Sequence, residues 1–338
     1  AASDVYKRQV YRKNAPMVVA SVVGVILLAV CVAIGLAFPI ELPKTFWIIF
    51  VFIYIMIASV TPVWILLQPR DYLSSFLLYF MIIAAVIGIF GAHPDIQIPA
   101  YIGFHVSNNY MFPTLFITIA CGAISGFHSL IGSGTTSKQL DNEKDALMVG
   151  YGSMLIECVL AVISLIAVAT LTSDGQFAAA GFSSPTVVFA SAISGFFAQL
   201  GLSEGAVSAT YTIIALAVSC FCLTSLDTAT RLGRFMFQEL FAGTSVGKQM
   251  KLENMYVATG ITALCGFALC LAGYAKVWPL FGACNQLVAV PAFLAIGTYL
   301  KKQGKNNKML HIPIIFMSCA TIVSLIFSFK NNLVALIN

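Results

Sequence analysis

The run from Tyr72 to Gly91, YLSSFLLYFMIIAAVIGIFG, contains no charged side chain. A bilayer core about 30 Å thick is crossed by roughly 20 apolar residues in a helix. Backbone in hydrocarbon must satisfy its own N–H and C=O groups, which restricts spanning segments to helices or closed barrels. The chain lacks the period-two alternation of a membrane barrel, so its apolar runs are predicted helices. Comparable runs occupy 15–39, 44–67, 113–131, 145–172, 205–225, 255–275, 278–300 and 311–328, which together with 72–91 makes nine spans. Of 338 residues, 59% are hydrophobic and 9% charged, where soluble domains carry about 25% charged residues. The predicted class is an all-α integral membrane protein, with the lipid bilayer as its solvent.

A further segment, Ser184 to Leu200, is apolar but short, and whether it crosses decides the topology. Loop Lys and Arg collect on the cytoplasmic side. If the segment does not cross, eleven basic residues share one side: Arg70, Lys138, Lys144, Arg231, Arg234, Lys248, Lys251, Lys301, Lys302, Lys305 and Lys308. Lys44, Lys276 and Lys330 take the other. If it crosses, the bias disappears, at six against eight. The reading adopted is therefore non-crossing, with 173–204 an external loop carrying a helical segment and 226–253 a cytoplasmic connection. The formal net charge of +5 reflects these scattered topology signals and not a nucleic-acid surface.

The nine cysteines show no C-x-x-C spacing and read as small packing residues, with no metal site or disulfide framework. The opening residues 1–9, AASDVYKRQ, lack periodicity and a signal-peptide layout. Asp4 to Gln9 is similar to the translation of a transposase end sequence, so 1–9 is predicted to be non-native, with 10–338 a polytopic domain that continued upstream.

Span 113–131 is the least regular. Gly122, Ser125, Gly126, Phe127, His128 and Ser129 fall within it. Gly122 and Gly126 at GxxxG spacing suit close helix packing, and serine can bond back to its own helix. An imidazole at this depth needs a partner or water, so the cluster as a whole fits a helix opened near 122–129 beside a cavity. Freed N–H groups there could hold a carboxylate. The GSGTT run at 132–136 lacks Walker spacing, which argues against an ATPase.

Glu157 is the acidic residue well inside a span, an expensive position that suits a proton-coupling group, alone or with His128. A neutral Glu bonded to a neighbouring helix is the alternative. Asp227, Arg231 and Arg234 share a cytoplasmic helical foot, with Asp227 and Arg231 at i,i+4 spacing for a local ion pair at an inner gate, or simply solvated. Asn285 and Gln286, near Gly282 and Pro291, begin a second polar interruption that could line the pathway or bond between helices. An intramembrane hydrolase built on Ser125 or Ser129 with His128 lacks an orienting acid and an oxyanion hole. A starvation sensor without flux would need a signalling domain, and none is visible.

FITIACGAISGFHSLIGSGTTSKQL, SLDTATRLGRFMFQE and WPLFGACNQLVA resemble the signature stretches of the carbon starvation protein A (CstA) family. The resemblance runs over 10–338. It implies a bacterial inner-membrane transporter that takes up peptides under carbon starvation or, in some members, pyruvate with protons. No enzyme activity, cofactor or metal is implied. The family also resembles the amino acid, polyamine and organocation superfamily, with its LeuT-like core of two inverted repeats whose first helices are broken. On that resemblance 113–131 is the broken sixth core helix, 15–91 supplies core helices three to five, and core helices one and two are missing.

Overall fold

The computed structural model describes residues 17–106, 109–120, 122, 124–171, 181–182 and 184–337. The expectations for 1–9, for Cys121 and for 173–180 lie outside the described residues. In chain order the helices are α1 (Met17–Ala37), α2 (Lys44–Val60), α3 (Val63–Ala92), α4 (Phe116–Ala120), α5 (Gly126–Ile131), α6 (Asp145–Leu171), α7 (Pro185–Gln199), α8 (Glu204–Phe241), α9 (Ser245–Gln249), α10 (Met255–Ala272), α11 (Tyr274–Lys302) and α12 (His311–Ile337). A two-residue antiparallel ladder, β1 (His105–Val106) with β2 (Asn109–Tyr110), is the one piece of strand among the described residues. Among the described residues, four helices are long and apolar enough to cross a membrane: Ile65–Ala92, Asp145–Leu171, Glu204–Phe241 and Lys308–Phe327. Shorter apolar helices occupy Ser21–Ala37, Lys44–Val60, Pro185–Gln199 and Met255–Leu271.

The chain divides into two compact units, Ala1–Pro99 with Leu155–Ala263, and Ala100–Met154 with Leu264–Asn338. The core of the first gathers Leu77, Met81 and Ala85 of α3, Ile163 of α6, Ala190 and Ile193 of α7, and Ile214 and Ala217 of α8. On α3 the pattern is one-sided, since Met81 and Ala85 are buried whereas Ile83, Ile87 and Phe90 are exposed. That leaves one face for protein and one for lipid. α7 is well buried, and Gly88 of α3 lets it close in: a Cβ there would meet Phe196 Cβ at 3.1 Å. Ser184 caps α7 by accepting from the Val187 N–H.

Four expectations need correcting. The boundary predicted between 67 and 72 falls instead at Thr61–Pro62. Pro62 has no N–H to offer the Ala58 carbonyl and forces Thr61 into extended backbone (φ −67°, ψ 139°), so α2 stops at Val60. Pro69 lies inside α3, which continues through Arg70 and Asp71, so Arg70 belongs to a helix and not to a loop. The polar interruption expected at Asn285 is absent as well: α11 runs unbroken through Gly282 and Pro291. A single proline forfeits one N–H, which membrane helices tolerate. Of the described cysteines, all of them free, half-buried Cys220 packs against the core of the first unit, whereas the others are exposed and do not. Finally, α8 is one helix of 38 residues. At 1.5 Å per residue it is about 57 Å long and outruns a 30 Å hydrocarbon core, which joins the predicted span to its predicted foot.

Candidate functional site: a broken helix and a buried arginine stripe

In the second unit the span predicted at 113–131 is interrupted. α4 ends at Ala120, the Gly122 N–H turns back to the Ile119 carbonyl at 3.1 Å, and α5 starts at Gly126. Ser125, in extended backbone (φ −116°, ψ 126°), is its N-cap and accepts from the His128 N–H. Asn285 of α11 completes the cap: its Oδ1 accepts from the Phe127 N–H at 2.6 Å, and its amide nitrogen donates to the Ser125 hydroxyl at 3.1 Å. Two donors released by the break are thereby engaged within the chain.

The glycines divide the two readings of this cluster between them. Gly126 is a packing glycine, since a Cβ there would lie 2.2 Å from the Asn285 carbonyl oxygen and 2.8 Å from the Ala289 nitrogen. Backbone cannot rotate away as a side chain can, so only glycine lets α5 rest on α11. Gly122 is exposed in the turn at the break. Phe127 is half-buried and His128 exposed. The Ser129 hydroxyl is spent on the Gly126 carbonyl at 2.6 Å and the Ser125 hydroxyl on Asn285, so neither serves as a histidine-activated nucleophile. Gln286 is fully buried, with its amide nitrogen 3.5 Å from the Ile117 carbonyl.

In the first unit, Asp227, Arg231 and Arg234 occupy i, i+4 and i+7 of α8 and so share a face. All three are buried, at 0%, 7% and 4% exposure, which rules out a solvated foot. The expected local ion pair between Asp227 and Arg231 is replaced by a longer-range one. Asp227 Oδ2 accepts from Arg70 and from the Tyr54 hydroxyl, the latter at 3.0 Å. Arg70 also pairs with Asp71 at 2.9 Å, and Asp71 accepts from the Thr224 hydroxyl at 3.1 Å.

Arg231 and Arg234 turn to the joint between α2 and α3. Arg231 donates to the carbonyls of Ala58 and Thr61, and Arg234 to that of Ser59. These acceptors are free because Pro62 breaks the helix, and the end of α2 carries the negative pole of its dipole. Arg70 and Asp71 escape the sequence reading because QPRD reads as a loop, and Tyr54 and Thr224 because each is an uncharged side chain inside a predicted span. Charged residues next to a proline inside an otherwise unbroken apolar run were the available signal.

Glu157, in the first unit, lies midway along α6 with its side chain exposed and not buried against another helix. His128 belongs to the second unit. Among the described residues no three His, Cys, Asp or Glu side chains group to hold a metal.

A family model described as carbon starvation protein CstA matches residues 4–181 and 175–324. The chain is 32% identical to the peptide transporter CstA of Campylobacter jejuni, over 90% of this chain and 53% of that protein. It is 30% identical to the peptide transporter CstA of Bacillus subtilis, over 88% of this chain and 57% of that one. The pyruvate/proton symporter BtsT of Escherichia coli is 29% identical over 78% of this chain and 47% of its own length. The chain thus spans about half the length of the curated relatives it matches. No solved structure matches. These relatives carry the names of transporters and not of enzymes, in keeping with the long apolar helices of a membrane protein. With the family model covering nearly the whole sequence, the chain belongs to the carbon starvation protein CstA family.

Proposed function

We propose that the protein is a secondary active transporter that imports peptides across a bacterial inner membrane, coupled to protons by alternating access. The observation that carries this reading is the interruption between Ala120 and Gly126 inside an otherwise apolar span. Broken helices at membrane depth offer oriented N–H and C=O groups to a solute, and closed apolar helices do not. The solute's carboxylate binds at Gly122, Ser125, Gly126, Phe127, His128 and Ser129, facing Asn285 and Gln286. Because Asn285 already satisfies the Phe127 N–H, a carboxylate has to displace that amide oxygen, exchanging one acceptor for a charged one. Glu157 and His128 carry the proton. Asp227 with Arg231 and Arg234 holds the inner gate, and on this reading Arg70 and Tyr54 belong to it. The nine-span count and the LeuT-like inverted repeat complete the proposal.

Pyruvate with protons is the second reading, favoured by one observation: the symporter of that name aligns over 78% of this chain. Both solutes present a carboxylate, so the test lies in binding. Calorimetric titration of the purified protein with a dipeptide and with pyruvate separates them. Saturable heat with the dipeptide, diminished in His128→Ala, supports the first reading. Heat with pyruvate alone supports the second, and heat with neither contradicts both.

A further inference from the structure

From Asn254 to Asn338 there are six lysines and no Asp, Glu or Arg. Four of the six, Lys301, Lys302, Lys305 and Lys308, fall within eight residues at the joint between α11 and α12. All four are exposed, and among the described residues none of them takes part in an ion pair. The other basic stretches predicted on the same side of the membrane are balanced. Lys138 and Lys144 are interleaved with Asp141, Glu143 and Asp145, and Lys248 and Lys251 with Glu239 and Glu253. Arg70, Arg231 and Arg234 are engaged within the first unit.

A topology signal needs charge alone, whereas this joint is also built. It turns at Gly304, whose φ of 70° suits glycine. The joint itself takes up the carbonyls released where α11 ends. That of Tyr299 accepts from the Gln303 N–H at 3.1 Å, that of Leu300 from the Lys305 N–H at 2.9 Å and that of Lys301 from the Gly304 N–H at 3.1 Å. The Asn307 amide reaches back and donates to the Gly297 carbonyl at 3.1 Å, and Asn306 Oδ1 accepts from the Lys308 N–H at 3.0 Å. With the helix end closed in this way, the lysine ammonium groups are not spent as caps and are left for a ligand outside the chain.

Position decides what that ligand is. Lys308 opens the stretch Lys308–Phe327, which is long and apolar enough to cross a membrane, so the cluster stands where hydrocarbon gives way to headgroups. Next to the charges lie exposed apolar side chains: Met309 in the joint, and Ile312 and Ile315 on one face of α12. A soluble acidic partner matches the lysines and leaves the isoleucines without a counterpart. An anionic phospholipid matches both, because its phosphodiester meets the ammonium groups and its chains meet the apolar face.

We propose that the joint of α11 and α12 binds an anionic phospholipid, its phosphodiester held among Lys301, Lys302, Lys305 and Lys308 and its chains lying along Ile312 and Ile315. The lipid ties the adjoining ends of two helices of the second unit. The proposal rests on the reading that α12 crosses the membrane and is independent of the solute carried.

The test is native mass spectrometry of the purified protein in neutral detergent, titrated with phosphatidylglycerol and, separately, with phosphatidylcholine of the same chains. The protein should prefer phosphatidylglycerol, and the preference should shrink as salt rises. Lys305→Gln combined with Lys308→Gln should lower the affinity for phosphatidylglycerol about fivefold per lysine removed and leave that for phosphatidylcholine unchanged. Both variants should keep the wild-type Tm in lipid-free detergent, since neither lysine closes the helix end. Lys138→Gln combined with Lys144→Gln removes the same charge from the same unit and should bind phosphatidylglycerol like the wild type. Equal affinity for the two lipids, full preference in the Lys305 and Lys308 variant, or an equal loss in the Lys138 and Lys144 variant overturns the proposal. Displacement of phosphatidylglycerol by polyglutamate at equal concentration of negative charge also overturns it, in favour of an acidic protein partner.

Discussion

Arg70 of α3 pairs with the fully buried carboxylate of Asp227, 157 positions further along the chain on α8. Tyr54 of α2 donates to the same oxygen, so one carboxylate ties together three helices of the first unit. Removing one member of a buried pair leaves the other charge uncompensated. Asp227→Asn and Arg70→Gln should each lower Tm, and in a double-mutant cycle the two should couple by about 1 kcal/mol or more, as neighbours in one network do. The pair Asp227→Asn and Arg231→Gln should couple less. Equal coupling in the two cycles would restore the local ion pair read from the i,i+4 spacing.

Arg231 stands in for the N–H that Pro62 lacks. Arg231→Gln should cost about 1–3 kcal/mol, the range for leaving buried acceptors unpaired. Pro62→Ala returns a donor to the Ala58 carbonyl, so the same Arg231→Gln change should cost less in that background. Additive losses, measured by thermal unfolding of all three variants, would contradict this account of the joint.

Asn285→Ala should expose the start of α5. The Phe127 N–H loses its acceptor, and losing a cap of this kind costs about 1 kcal/mol. Amide hydrogen exchange at Phe127 and His128 should speed up, while Asn285→Asp, which keeps an acceptor and adds a negative charge at a helix start, should retain protection. Unchanged exchange in Asn285→Ala would mean that the cap is not formed.

Gly126→Ala places a methyl group against the backbone of α11 and should destabilise by about 1–3 kcal/mol or more, as overpacking does. Gly132→Ala, where nothing lies within 4 Å of an added Cβ, is the control and should melt like the wild type. Equal melting of the two variants would argue against close contact of α5 with α11.

Glu157→Gln should abolish the dependence of uptake on an imposed pH gradient while leaving the melting temperature close to that of the wild type, because this side chain is exposed on α6. Undiminished pH-driven uptake would remove Glu157 from the coupling pathway.

Hydropathy located the apolar helices, because their length and lack of charge follow from bilayer thickness alone. It misplaced their joints where two prolines competed. Pro62 ends a helix and Pro69 does not, and the difference lies in Arg231 and Arg234, which satisfy the carbonyls at the first site from a helix far along the chain. The break at Gly122 to Ser125 was legible because glycine, serine and histidine have no reason to cluster in an unbroken lipid-facing helix. That Asn285 caps it was not, since a side chain in α11 that mends a helix elsewhere leaves no periodic trace. Asp227 was recognised as important but given the wrong partner. Spacing along one helix reveals only local pairs, and its partners lie on α2 and α3.

The central claim is transport, and the direct measurement is accumulation of labelled dipeptide and labelled pyruvate by proteoliposomes of the full-length protein under an inward proton gradient. The account predicts dipeptide accumulation that collapses with a protonophore and falls in His128→Ala. Accumulation of neither solute, with the protein folded and correctly inserted, would contradict it.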